Sequence, residues 1–156
     1  MIMRSFFPIL KFIVLSLLVG YVSMLVQRDS MENWYPFLQK SALTPPGYVF
    51  SLVWGVLYIL MGVSAGLVSG AQSSRSPLLI LLFFLQLLLN FMWSLCFFYL
   101  RMPLLAFVVL LVLLFVLVAY VAGCYRLKRY IAFINIPYVV WLLFAAYLNI
   151  YVVLNN

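Results

Sequence analysis

Four runs of this chain, 41–74, 76–100, 102–125 and 130–156, contain no Asp, Glu, Lys, Arg or His. Each exceeds the roughly 20 residues that carry an α-helix across the hydrocarbon of a bilayer. In hydrocarbon every backbone N–H and C=O must bond within its own segment, so runs of this kind fold as helices. A fifth run, 6–26, holds only Lys11, close enough to its start for the ammonium to reach back to the headgroups. A basic residue before an apolar run can also open a signal peptide. Bulky Val22, Met24, Leu25 and Val26 leave no small-x-small cleavage site before Gln27, so the run is read as a helix.

With 69% hydrophobic and 7% charged residues, a water-facing polar surface cannot be built. The chain is predicted to be an all-α integral membrane protein, one 1–156 domain with a five-transmembrane-helix bundle over 6–26, 47–68, 78–100, 103–124 and 130–152. Short connections after the second, third and fourth spans make consecutive helices antiparallel. The connection 27–46 differs: it contains Trp34, Tyr35 and Phe37, ends in Pro45 and Pro46, and holds both acids, Asp29 and Glu32. It is expected to lie over the bundle end as a lid.

A net charge of +7 would suggest nucleic acid in a soluble protein, but here the bases sit in loops beside membrane segments. Arg4, Lys11, Arg75, Arg126, Lys128 and Arg129 gather on the N-terminal face, against Arg28, Lys40 and Arg101 on the other. Cytoplasmic loops are enriched in Lys and Arg, so the N-terminus is predicted cytoplasmic if the protein resides in a bacterial inner membrane. The absence of histidine and the scarcity of acids leave a metal cage, a Ser-His-Asp relay and a proton-coupling carboxylate without support. No metal or cofactor is expected. Cys96 and Cys124 fall near opposite membrane faces, about 25 Å apart at 1.5 Å per residue, too far for an intrachain disulfide.

Depth brings the polar and aromatic groups together. Counted from the long-loop face at the helical rise, Trp54 and Trp93 lie roughly 10 Å deep, Asn90 and Trp141 roughly 15 Å, and Asn149 roughly 5 Å. Tryptophan usually sits at the interface, above that level. Side chains four apart share a helix face. Phe50, Trp54 and Tyr58 form one ladder; Gln86, Asn90 and Ser94 form another, flanked by Trp93 and Phe97; Pro137, Trp141, Ala145 and Asn149 form a third. Rings with sparse hydrogen-bonding groups make the wall of a small-molecule pocket. The alternative is that the carboxamides bond neighbouring helices and the rings fill the core. Gly62, Gly66 and Gly70 form a small-xxx-small pattern suited to close helix approach, within the bundle or across a dimer. The run Val121, Tyr125, Lys128 fits a loose cholesterol-contact pattern that arises readily by chance.

Trp34-Tyr35, Leu38, Lys40, Thr44-Pro45-Pro46-Gly47 and Trp54 with Leu57-Tyr58 resemble the first loop and second helix of the TspO/MBR family of tryptophan-rich sensory and translocator proteins. The likeness continues through Gln86, Asn90, Trp93, Phe97 and Phe98, and through Ile136-Pro137-Tyr138, Trp141, Phe144-Ala145 and Tyr147-Leu148-Asn149. It covers most of the chain from Trp34 to Asn149. The resemblance implies a five-helix bundle, often a homodimer, that binds tetrapyrroles such as protoporphyrin IX and, in some members, cholesterol and synthetic benzodiazepine-type ligands. By motif position its pocket falls on Tyr35, Pro45, Phe50, Trp54, Tyr58, Asn90, Trp93, Ser94, Phe97, Trp141 and Ala145. Some bacterial members are linked to light- and oxygen-dependent porphyrin breakdown, which makes Trp54 and Trp141 candidate catalytic rings.

Departures from the family pattern carry their own expectations. Ser41 and Leu43 stand where the family commonly has proline and tryptophan, predicting a looser lid that lacks one ring. Tyr151 is followed by no basic residue, so the animal cholesterol motif is incomplete and a bacterial source is expected. Leu78 to Leu89 offers no small residues for a third-helix dimer contact.

Three function classes compete. A tetrapyrrole-binding sensor or transporter would stack the macrocycle on Trp54, Trp93 and Trp141, bond its edge through Asn90 and Ser94, and hold its carboxylates near Arg28 and Lys40. Without histidine to bind iron axially, free porphyrin is expected over haem. A light-driven porphyrin-degrading activity is the alternative, and a structural membrane protein without a small ligand is the third.

Overall fold

The computed structural model describes the backbone of residues 2–156 and the side chains of 7–156. The side chains of Arg4, counted toward topology, and of Phe6, at the start of the first span, lie outside the described residues. Among the described residues six α-helices make five membrane crossings: α1 (Ile2–Asn33), α2 (Gly47–Gly70), α3 (Ser76–Ser94), α4 (Pro103–Leu127), α5 (Arg129–Ile134) and α6 (Ile136–Asn155), with α5 and α6 sharing one span. Helix α1 packs most extensively along α2, α3 lies on α4, and α4 also carries α5 and α6.

Prolines set several boundaries. Pro46 caps α2, Pro77 and Pro103 sit in the first turns of α3 and α4, and Pro137 opens α6. A first-turn proline gives up an N–H that would be unpaired there anyway. Pro137 also explains why the fifth span, expected as one helix, breaks at Asn135. Within a continuous helix its ring would clash with the carbonyl four residues back. Asn135 occupies the break and donates through Nδ2 to Ile131 O and to Ser64 Oγ, both at 2.8 Å.

Helix α1 runs seven residues beyond the apolar run ending at 26, through a stretch expected to be loop. Nothing from Gln27 to Asn33 breaks a helix, and Asn33 donates to Asp29 one turn earlier at 2.9 Å. The apolar run therefore ends before the helix does. The extended end of α1 docks on the tail of α3, where Ser30 Oγ donates to Phe98 O and Arg101 pairs with Asp29 at 3.0 Å.

That tail is a widened π-type turn, Leu95–Tyr99, closed by Leu100 N–H bonding Leu95 O at 2.9 Å. Such a turn inserts an extra residue into a helix and re-aims the side chains beyond it. Here Cys96, Phe97 and Phe98 are all buried. Cys96 and Cys124 are both free thiols.

In the half of the bundle away from the lid, Gly62 and Gly66 lie against the α1 backbone at Ile13 and Ile9, so close that a Cβ on either would overlap it. The close approach therefore lies within the bundle, while Gly70 is exposed. Ser64, Tyr120 and Asn135 form a buried hydrogen-bond network in the same half.

Candidate functional site

Phe50, at the start of α2, is the hub of an aromatic cluster. Its ring centroid lies 6.3 Å from Trp54, 6.4 Å from Trp93 and 5.9 Å from Trp141. Trp54 and Trp93 face each other at 6.0 Å with 26° between their planes. Tyr58 continues the α2 ladder 5.7 Å from Trp54, and Phe97 continues the α3 ladder 5.8 Å from Trp93. Tyr35 and Trp34, from the segment above the bundle, close over Phe97 at 6.2 and 5.8 Å. Offset and edge-to-face ring pairs of this kind are each worth about 0.5–1.5 kcal/mol beyond their buried area.

Two larger cavities flank the cluster. One, about 690 Å³, lies under the segment 35–47 and is lined by Tyr35, Leu38, Lys40, Pro45, Phe50 and Phe98 among others. The second, about 200 Å³, opens between α1, α2 and α3 and is lined by Gly20, Ser23, Gln27, Trp54, Tyr58, Asn90, Trp93 and Ser94. A crevice of about 30 Å³ runs between Tyr35, Phe97, Ala145 and Asn149. Phe50 lines all three. Ten of the eleven residues assigned to the pocket from the sequence thus border one of these spaces. Trp141 is placed differently: it is half-buried on the far side of Phe50, packed against Phe144 at 5.6 Å, and is not among the residues lining these cavities. The three indoles therefore surround a phenylalanine where an open hollow was expected.

The polar groups divide into two kinds. Asn149 accepts from Trp93 Nε1 at 3.0 Å and donates to Pro103 O at 2.8 Å, and Gln86 donates to Leu82 O at 3.2 Å, so these carboxamides bond the bundle itself. Asn90, 1% exposed, donates through Nδ2 to Tyr138 Oη and Gln86 O, while its Oδ1 has no partner. The indole N–H groups of Trp54 and Trp141 are likewise buried without partners. A buried polar atom left without a hydrogen bond costs about 1–3 kcal/mol. Three such atoms within one ring cluster give a ligand groups to satisfy.

The segment over the larger cavity is tied down. Lys40 Nζ lies 4.6 Å above the Tyr35 ring and donates to Tyr35 O at 2.8 Å. Ser41, where a looser lid was expected, hydrogen-bonds Tyr147 on α6 at 2.9 Å, a tether that a proline could not supply. Gln39 and Asn156 exchange a reciprocal pair of bonds at 2.9 and 3.1 Å. Desolvation raises the Tyr35 phenol above its ordinary range, so it borders the cavity as a neutral hydroxyl. Arg28, expected beside Lys40 at the mouth, is exposed and is not among the lining residues.

Helix α1 also contributes to the site, which was not expected from the sequence. Ser16, Gly20, Ser23, Gln27 and Ser30 recur at intervals of four and three, a small and polar stripe along one side of α1. The three serines are buried, and Gln27 donates to Ser94 Oγ at 2.9 Å, both residues lining the smaller cavity. That spacing was the available signal. Among the described residues no group of three or more His, Cys, Asp or Glu could hold a metal ion.

The chain matches the model of the TspO/MBR family over residues 12–154. It is 30% identical over 140 residues to the tryptophan-rich protein TspO of Archaeoglobus fulgidus, covering 90% of this chain and 91% of that one. It is 31% identical over 137 residues to the protein of the same name from Chlorobaculum tepidum, with 86% and 87% covered. A translocator protein of Homo sapiens is 34% identical over 120 residues, 75% of this chain and 71% of its own.

Proposed function

We propose that this chain, which belongs to the TspO/MBR family and is a multi-pass membrane protein, binds a tetrapyrrole such as protoporphyrin IX and acts on that ligand as a sensor or transporter. The observation that carries the reading is the stacked Trp54–Trp93 pair beside an unpartnered Asn90 carbonyl and an unpartnered Trp54 N–H, all bordering one cavity. A flat macrocycle with an apolar face and polar ring nitrogens meets both demands. Phe50 is the movable element: when its ring swings aside, the spaces it lines join, and the macrocycle can lie against Trp54 and Trp93 with Trp141 at its edge. Lys40 would then leave the Tyr35 carbonyl and pair with a propionate under the lid. Pairing of two chains belongs to the same proposal, as does an N-terminus that is cytoplasmic if the protein resides in a bacterial inner membrane.

Titration of protoporphyrin IX into detergent-purified protein in the dark tests this. Saturable quenching of tryptophan fluorescence is expected, weakened in Trp54→Phe and in Trp141→Ala. Unchanged affinity and quenching in both variants would refute the stacking model. The near-parallel Trp54 and Trp93 rings also favour a second reading, light-driven porphyrin breakdown, because two indoles in contact can share an oxidising equivalent. It predicts oxygen-dependent bleaching that stops in darkness and in Trp54→Phe; equal bleaching in that variant would exclude the rings from the reaction.

A further inference from the structure

On the face opposite the lid, a groove of about 360 Å³ runs between α3 and α4. One wall is a stripe of Leu78, Leu79 and Leu82 on α3, and the floor is Ala119 and Ala122 on α4, whose small side chains leave the depression open, with Gly123 beside them covered by Leu79. Each stripe begins or ends with an arginine at the same membrane face: Arg75 just before α3 and Arg126 in the last turn of α4. Both helices thus present the spacing 0, 3, 4, 7 toward the groove. Seven residues at 1.5 Å each make it about 10 Å long, reaching from the headgroups into the hydrocarbon.

The two arginines are uncompensated. The chain's acids, Asp29 and Glu32, lie at the other end of the bundle, and the ion pair found among the described residues is Arg101–Asp29. The neighbouring bases are engaged otherwise: Lys128 lies over Tyr130 and Arg129 over Tyr125. Arg75 and Arg126 are exposed. We infer that this groove is a binding site for one anionic glycerophospholipid, its phosphate held between Arg75 and Arg126 and one acyl chain laid along the α4 floor. The aliphatic lining, with no aromatic ring, suits a chain and not a flat macrocycle. Paired guanidiniums match a phosphate's oxygens in fork geometry. The site is independent of the proposed tetrapyrrole function, because it shares no residue with the ring cluster.

Native mass spectrometry of the full chain in detergent, titrated with phosphatidylglycerol or with phosphatidylcholine of the same acyl chains, tests the assignment. Wild type should retain one phosphatidylglycerol with a preference of roughly thirtyfold, given two basic residues acting on one headgroup. Arg75→Gln/Arg126→Gln should lose the preference, and Lys128→Gln/Arg129→Gln, which removes equal charge from the same face, should keep it. Ala122→Leu, which fills the floor and leaves both guanidiniums, should weaken retention of phosphatidylglycerol while thermal stability stays at the wild-type value. A preference that survives Arg75→Gln/Arg126→Gln, or that falls equally in both double variants, overturns the proposal. Full displacement of the lipid by millimolar inorganic phosphate would also overturn it, by assigning a free-anion site.

Discussion

The two halves of the bundle are built on different principles. Away from the lid, α1 and α2 touch backbone to backbone at Gly62 and Gly66, Ala65, Val68, Leu113 and Leu117 are fully buried, and the Ser64 hydroxyl is bonded by both Tyr120 and Asn135. Toward the lid, large rings meet edge to face around cavities, α3 ends in a widened turn, and Asn90, Trp54 and Trp141 each leave a polar atom unpartnered. Packing at crystal-like density resists change, whereas a cluster of movable rings around empty space admits a guest. One half holds the fold so that the other can be incomplete.

Substitutions in the closed half should cost stability and spare affinity, and those in the open half should do the reverse. The largest effect is expected from Gly62→Val, whose side chain has no room against the Ile13 backbone; a loss on the order of 3 kcal/mol should appear as a collapsed melting temperature or failure to accumulate. An unchanged melt would mean that α1 can shift away freely and that the halves are not distinct. Ser64→Ala strands the Tyr120 hydroxyl and one Asn135 bond, so about 1–3 kcal/mol of thermal stability should go while porphyrin affinity stays at the wild-type value. Trp54→Phe shrinks the ring face offered to the macrocycle and removes an unpartnered buried N–H; affinity should weaken by about 0.5–1.5 kcal/mol in a fluorescence titration, a larger change than any in thermal stability. Asp29→Asn should do least. The Asp29–Arg101 pair is 73% and 43% exposed on its two sides, and such pairs contribute about 0–1 kcal/mol, further reduced by salt.

The five crossings were legible because hydrocarbon enforces helices wherever charge is absent for long enough, and the helical rise then placed Trp54, Trp93 and Asn90 at similar depths on facing ladders. Groups whose position depends on a local departure from regular helix were not legible. Nothing in Leu95-Cys96-Phe97-Phe98-Tyr99 announces a widened turn, yet that turn buries Phe97 and Phe98 together beneath Tyr35. Pro137 carries the signal for a break in a span that was expected as one helix, but nothing in the sequence says that Asn135 fastens that break to α2. The extension of α1 was hidden because apolar patterning reports where the bilayer ends, not where a helix does. Phe50 was recognised as a wall residue, while its place between three indoles depends on packing from α2, α3 and α6 at once. Ser41 shows the limit of reading a departure from a pattern as a loss: the hydroxyl that replaces a proline binds Tyr147.

A structure of the protein with protoporphyrin IX bound tests the central claim most directly. The macrocycle should lie against Trp54 and Trp93 beneath the segment 35–47, with the Phe50 ring displaced and the Asn90 carbonyl or the Trp54 N–H bonded to it. A macrocycle found on the lipid-facing surface, with Phe50 still seated among the three indoles, would contradict the account.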